Sequence, residues 1–269
     1  MIKHLIAITL TNILFLLPIQ AHSNSSPYTL STPTESLLIG SGLALLTYSF
    51  FARERINPLT DEEIASLSKN DINRFDRSAV NNWSPGGALL SDVILASTMA
   101  APSLFLLNDN TRNDFMVLGV MYAESILITS AMTMTVKNTT LRNRPFVYNH
   151  NAPYKEKKDK DARFSFYSGH TAHTFNSAVF FSTVFSDYYP QSQWRYMVWG
   201  STLLAASTVG YLRYYAGKHY PTDIIAGAMV GSLTGYIIPA LHRNKNRNEN
   251  ISITLSIGIE NTIGIGFHF

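Results

Sequence analysis

Six stretches dominated by apolar residues organise the chain, at approximately 34–51, 87–107, 114–136, 170–186, 194–213 and 222–241. Each is near the length of a bilayer-spanning helix, about 20 residues. Several are interrupted: Asp92 lies in the second, Glu124 in the third, and Ser, Thr and Gly are scattered among the rest. A polar residue inside a span needs a partner within the bundle. The pattern therefore predicts either crossing helices or a compact helical domain whose helices bury one another. After residue 250 the period changes. Ile251, Ile253, Leu255, Ile257 and Ile259, then Ile263, Ile265, Phe267 and Phe269, fall on alternate positions, which is strand spacing. A break at Glu260-Asn261-Thr262 predicts a β-hairpin. The expected fold class is all-α, a six-helix bundle with a short C-terminal β-hairpin. Two strands alone are marginal, so the hairpin should lay its apolar face on the bundle or on another chain. Two strands cannot close a membrane barrel.

The N-terminus has a different logic. One lysine precedes an apolar run from Leu5 to Ile19, closed by Pro18 and followed by Gln20-Ala21-His22-Ser23. This is the layout of a secretory signal, with cleavage after Ala21 or Ser23; the competing reading is an uncleaved first membrane helix, for which the run is short. The expected organisation is a signal peptide at 1–23, a polar linker at 24–33, a helical domain at 34–242, a basic Asn-rich linker at 243–250 and the hairpin at 251–269. Internal repeats are absent.

Composition narrows the class. Hydrophobic residues make up 46% of the 269 and charged residues 14%, against a usual charged share of about 25%. This is apolar for a soluble protein and brings membrane association into consideration. A net charge of +3 is too small to argue for nucleic acid. There are no cysteines, so thiolate chemistry and disulfides are excluded.

Three polar segments carry candidate chemistry. Arg213-x5-His219-x3-Asp223 precedes an apolar helix, with Pro221 and Thr222 marking its start and Thr222 expected as N-cap. An aspartate close to an imidazole fixes its tautomer and leaves the other nitrogen free to attack. Arg213 offers a planar fork for phosphate oxygens. Lys137-x6-Arg144-Pro145 sits where the third apolar stretch runs out. Ser168-Gly169-His170 opens the fourth, where backbone N–H groups and the Ser168 hydroxyl suit an anion and His170 suits proton transfer. Alternating helix direction places all three segments at one end of the bundle. Arg142 reads as a surface basic residue. The 52–86 segment, at the same end, reads as a roof over the pocket or a capped connecting loop. Lys155–Arg163, where acids alternate with bases, reads as a solvated loop. His173 follows His170 by three residues, but no further ligand is near enough in sequence to make a metal pair.

These segments resemble the superfamily of type 2 phosphatidic acid phosphatases and vanadium haloperoxidases, whose pattern is K-x6-R-P, P-S-G-H and S-R-x5-H-x3-D. Every charged and imidazole position is matched. Tyr167 stands at the usual proline and Leu212 at the usual serine. The loss of that serine hydroxyl bears on substrate affinity more than on reaction type. The resemblance implies a metal-independent phosphatase acting on a phosphomonoester or diphosphate through a phosphohistidine, with no cofactor. His219 would be the nucleophile, Asp223 its orienting carboxylate and His170 the proton donor. Lys137, Arg144, Ser168, Gly169 and Arg213 would bind phosphate. The expected partners are a phosphorylated substrate, lipid in character, and a membrane. A broad-specificity periplasmic acid phosphatase is the alternative, followed by a vanadate-dependent haloperoxidase and a non-catalytic envelope protein. The reading places the chain in the cell envelope, periplasmic or membrane-associated. A cleaved signal followed by six crossings would turn the motif end to the cytoplasm, whereas bacterial lipid phosphatases of this superfamily usually turn it outward.

Overall fold

A computed structural model describes residues 26–244 and the backbone of 252–257 and 263–268. Six long helices carry the architecture: α1 Thr32–Glu54, α2 Pro85–Ala100, α3 Phe115–Thr140, α4 Gly169–Tyr188, α5 Trp194–Tyr215 and α6 Pro221–His242. Asp61–Ser66, Asp109–Arg112 and Tyr154–Lys157 form shorter helices between them. The signal-peptide expectation at 1–23 and the 245–250 part of the basic linker lie outside the described residues. Ser252–Ile257 and Ile263–His268 run antiparallel, with Ser252 opposite His268 and Ile257 opposite Ile263.

The closest helix pair is α4 with α6, and its intimacy comes from glycine. A Cβ placed on Gly227, Gly231 or Gly235 would fall 2.6, 2.1 and 2.4 Å from the carbonyl oxygens of Ser168, Ala172 and Asn176. Backbone thus lies directly on backbone along successive turns, as small residues at helix interfaces allow. Polar side chains then lock the neighbouring helix. Asn176 donates to Ser125 Oγ at 2.6 Å and Thr234 Oγ1 at 2.9 Å, and Thr129 and Thr234 hydroxyls meet at 2.7 Å. α1 packs on α3, where Gly42 makes room for Leu127. An apolar cluster of Tyr28, Phe105, Val117, Leu118, Met121, Phe180, Val184 and Ile238 fills the end of the bundle where α3 begins and α6 ends.

Among the described residues, four helical stretches, 32–54, 85–107, 115–148 and 221–242, are long and apolar enough to cross a membrane. Six were expected. The other two are more polar: α4 carries His170, His173, Asn176 and a series of hydroxyls, and α5 holds Arg195 and Arg213. Large apolar side chains remain exposed on α2 (Leu89, Leu90, Val93), α5 (Leu204, Tyr211, Tyr215) and α6 (Ile225, Met229, Leu233). Such an outer surface suits lipid better than water.

Candidate active site

The end of α3 sets up one wall. Leu141 adopts a left-handed conformation at the C-cap, φ 46°, which turns the chain out of the helix and lets Arg142 and Arg144 point back across the bundle end. Lys137, on the last turns, is buried and donates to the Phe164 carbonyl at 2.5 Å. Arg144 is buried too. It bonds the Asp161 carboxylate at 2.7 Å and the Asp161 carbonyl at 3.0 Å, and reaches the Lys218 carbonyl at 3.4 Å.

The start of α4 sets up the second wall. Ser168 is the N-cap; its Oγ accepts from the Thr171 N–H at 3.3 Å and the Thr171 hydroxyl at 2.8 Å. Its own N–H goes to the Asp223 carbonyl at 3.0 Å. Gly169 and His170, in the first helical turn, have no intrahelical acceptor for their N–H groups. A side chain at Gly169 would press on Thr133 at 3.3 Å and lie 3.8 Å from the Lys137 stem, so glycine keeps the backbone beside the lysine.

The loop between α5 and α6 brings the third wall. Gly217 has φ +68°, and a Cβ there would fall 2.1 Å from the Asn82 carbonyl, so only glycine fits. Its own carbonyl receives the Phe146 N–H at 2.9 Å. This fastens the loop that presents His219. The imidazole is 1% exposed, with Nδ1 3.5 Å from Asp223 Oδ2. That is looser than a formed hydrogen bond of about 2.6–3.2 Å, a common state before substrate binds. Burial, then the charges of Arg144, Lys137 and Arg213, holds the His219 pKa well below its ordinary value. The ring is thus neutral at neutral pH, and a proton on Nδ1, the nitrogen nearer Asp223, would leave Nε2 free as a nucleophile.

Asp223 is fully buried and tightly held. Oδ1 accepts from Arg142 at 2.6 Å; Oδ2 accepts from the Ser165 hydroxyl at 2.5 Å and the Tyr220 N–H at 3.0 Å. Arg142 is therefore no surface residue, contrary to the sequence reading. Its other arm bonds Asp76 at 2.7 Å, and its guanidinium stacks 4.0 Å from the Tyr220 ring centroid. Asp76 is itself satisfied by the Thr222 N–H, the Thr222 hydroxyl and Asn73. Burial pushes the Asp76 pKa up, but these hydrogen bonds, with that from Arg142, outweigh it and hold the carboxyl below its ordinary value. Thr222 was expected as N-cap. The cap is Tyr220, because the Thr222 hydroxyl is drawn to Asp76 and Asp223 reaches back to the capping N–H.

His170 and Arg213 meet at a residue the sequence marked only as an interruption. Asp92 Oδ1 on α2 lies 2.7 Å from His170 Nε2 and 3.4 Å from Arg213 Nη1. Arg213 is buried and also donates to Ser91 Oγ at 3.2 Å. His170 and Asp92 form the open edge of the site, with side chains 30% and 55% exposed. Burial and the Arg213 charge outweigh Asp92 and lower the His170 pKa to about 4. The 155–163 loop is not simply solvated, as the sequence suggested. Asp161 bonds Arg144, and Lys160 donates to the Arg53 and Glu54 carbonyls at the end of α1 at 3.2 and 3.3 Å. The 52–86 segment reaches the site through Asp76 and Asn82. His173, three residues on, points to Ser130 at 3.4 Å.

The structure thus brings a buried histidine–aspartate pair together with three cations, Lys137, Arg144 and Arg213, at one end of a helical bundle. The sequence profile of the PAP2 superfamily matches residues 115–247, and the chain belongs to that superfamily. It is 35% identical over 74 residues to a lipid A 4'-phosphatase of Bacteroides thetaiotaomicron, covering 28% of this chain and 29% of the relative. It is 32% identical over 79 residues to a lipid A 4'-phosphatase of Porphyromonas gingivalis, covering 29% and 30%. The chain therefore spans less than a third of the length of these curated relatives. The crystal structure of a transmembrane PAP2 type phosphatidylglycerolphosphate phosphatase from Bacillus subtilis aligns at a TM-score of 0.46 and 18% identity, over 74% of this chain and 94% of that one.

Proposed function

We propose that the chain is a membrane phosphatase that hydrolyses a phosphate ester or diphosphate of an envelope lipid through a phosphohistidine on His219. The observation that carries this reading is the buried, neutral His219 set against Asp223 and within the field of Lys137, Arg144 and Arg213. His219 Nε2 attacks phosphorus as the bond to the leaving oxygen breaks. The three cations, the Ser168 hydroxyl and the free N–H groups of the first α4 turn hold the equatorial oxygens and stabilise the charge they gain. His170, taking up the proton that a monoanionic phosphate brings, passes it to the leaving oxygen. Water then cleaves the P–N bond, with His170 accepting its proton.

Two features favour a lipid. The open edge at His170 and Asp92 is flanked by exposed Leu89 and Val93 on α2 and by Tyr211 and Tyr215 on α5. An acyl or prenyl chain lying on that face would position the head group in the pocket. The partial matches to two lipid A 4'-phosphatases point to lipid A phosphate as the first substrate to try. The test is kcat/KM for long-chain and short-chain versions of one phosphate ester in detergent micelles, together with acid-quench trapping of the phosphoenzyme. A large preference for the long chain and an acid-labile phosphoenzyme absent from His219→Ala are expected. Equal turnover of a water-soluble ester would replace the lipid reading with a broad-specificity acid phosphatase. Full turnover by His219→Ala would remove the histidine mechanism altogether.

A further inference from the structure

The opposite end of the bundle holds a second polar cluster that the phosphatase reading does not use. Glu35 in the first turn of α1, Glu124 inside α3 and His242 at the end of α6 are all buried. Thirteen residues of α3 separate Glu124 from Lys137, about 20 Å along the helix at 1.5 Å per residue, so the two sites are separate. One potential ligand atom from each residue lies within 4.8 Å of the others. His242 Nε2 is 3.0 Å from Glu35 Oε1 and 3.3 Å from Glu124 Oε2.

The hydrogen-bond inventory does not balance. His242 Nδ1 lies 2.7 Å from the Ile238 carbonyl. A carbonyl only accepts, so the ring proton sits on Nδ1 and a neutral ring turns the lone pair of Nε2 towards two carboxylates. Glu35 Oε2 and both oxygens of Glu124 have no hydrogen-bond donor. Placing a second proton on Nε2 would supply one N–H for two carboxylates, and neutrality would still require a further proton on one glutamate or a bound cation. Arg243, next in sequence, is held by Asp187 at 3.1 and 3.2 Å and does not neutralise the cluster. Unpaired carboxylates buried in this way are strongly disfavoured.

We infer that Glu35, Glu124 and His242 bind a single first-row divalent cation, of which Zn²⁺ is the representative, at the end of the bundle away from His219. Two carboxylates and one neutral imidazole balance a double positive charge. Atoms bonded to a tetrahedral ion at about 2.0–2.1 Å lie about 3.3 Å apart, close to the 3.0 and 3.3 Å separations of Nε2 from the two glutamates. A backbone carbonyl on Nδ1 is the usual outer partner that fixes a metal-ligating histidine in this tautomer. The ion would have a structural role. It would fasten α1 to α3 and α6 beneath the extended segment in which Thr29 N–H bonds the His242 carbonyl at 2.8 Å. This inference is independent of the phosphatase reading.

The test uses the full chain in detergent, free of any polyhistidine tag. After chelator treatment and its removal, Zn²⁺ is titrated by calorimetry and melting temperature is followed. One equivalent of Zn²⁺ per chain and a chelator-reversible rise of several degrees are expected. Glu124→Gln and Glu35→Gln should each lower affinity at least tenfold, while His219→Ala should leave stoichiometry and affinity unchanged. Co²⁺ should give visible absorption bands of low-coordinate geometry in wild type. Wild-type protein that neither binds Zn²⁺ nor changes its melting temperature overturns the site, whether or not the variants fold. Zn²⁺ binding that persists undiminished in both glutamate variants, or disappears in His219→Ala, also overturns it.

Discussion

Arg142 Nη1 lies 2.6 Å from Asp223 Oδ1 while Nη2 of the same guanidinium bonds Asp76. One planar cation therefore holds the carboxylate beside the proposed nucleophile, and does so from two residues before Arg144. Replacing Arg142 by alanine should leave two buried carboxylates uncompensated, at a cost of about 3–5 kcal/mol. Arg142→Lys keeps the charge but not the fork, and should lower kcat on the order of tenfold to a hundredfold. Melting temperature and steady-state kinetics in detergent separate the two effects. Unchanged kcat in the lysine variant would cut Arg142 out of the positioning of His219.

The pH dependence follows from the two histidines. With the His219 pKa well below 6.5, the nucleophile stays neutral through mild acid. The free-enzyme pKa of His170, about 4, means that the leaving-group proton must arrive with a monoanionic substrate. A phosphate monoester loses that proton near pH 6. The quantity kcat/KM should therefore rise as pH falls from 8 through about 6. A profile that is flat or rises into alkali would sink this assignment. Stability moves the other way. Both folded-state values lie below the unfolded one, so below pH 6.5 the unfolded chain takes up protons that the folded chain refuses. The melting temperature should fall as pH drops through that window, and His170→Gln should flatten part of the decline.

Asp92 occupies the open edge on His170 and Arg213, where the oxyanion of the proposed reaction would also sit. Vanadate should compete with substrate, because it takes the trigonal-bipyramidal arrangement that Lys137, Arg144 and Arg213 are placed to stabilise. Asp92→Asn removes a like charge near that oxyanion and should lower the vanadate Ki about tenfold, a modest part of the Coulomb energy available at such range. Weaker inhibition in the variant would mean that Asp92 assists binding instead of opposing it.

Gly231→Ala would place a methyl 2.1 Å from the Ala172 carbonyl oxygen. Relief requires moving backbone, so a loss of about 1–3 kcal/mol or more is expected, with activity falling further than stability because α4 and α6 carry the two histidine segments. Gly119→Ala on α3, where nothing lies within 4 Å, is the control and should be neutral or slightly stabilising. Equal effects at the two sites would deny the close packing its role.

Most members of the candidate site were legible because they are ordered by local sequence. Lys137, Arg144, His170, Arg213, His219 and Asp223 sit at helix ends, where spacing along the chain decides position. What was missed depends on distant partners. Arg142 looked expendable because Asp76 and Asp223 lie 66 and 81 residues away. Asp92 appeared as a flaw in an apolar run because its partners are on α4 and α5. Glu124 was read as needing company inside the bundle, but nothing local could reveal that the company was Glu35 and His242. The N-cap was misplaced at Thr222 for the same reason: a hydroxyl that would cap a lone helix is drawn to Asp76. Capping preference is a local rule, and here a tertiary hydrogen bond prevails.

The glycine ladder of α6 also has a bearing on heredity. Gly227, Gly231 and Gly235 bear no functional group, yet the seating of His170 relative to His219 depends on them. Two helices whose main chains touch cannot roll or slide past each other to admit a bulky head group. The contact of α2 with α5 near the site is instead made by side chains such as Tyr215 against Gly87, which can shift without moving backbone. Selection for catalysis would then be felt at silent positions midway along a helix, while the entrance remains free to drift towards new head groups.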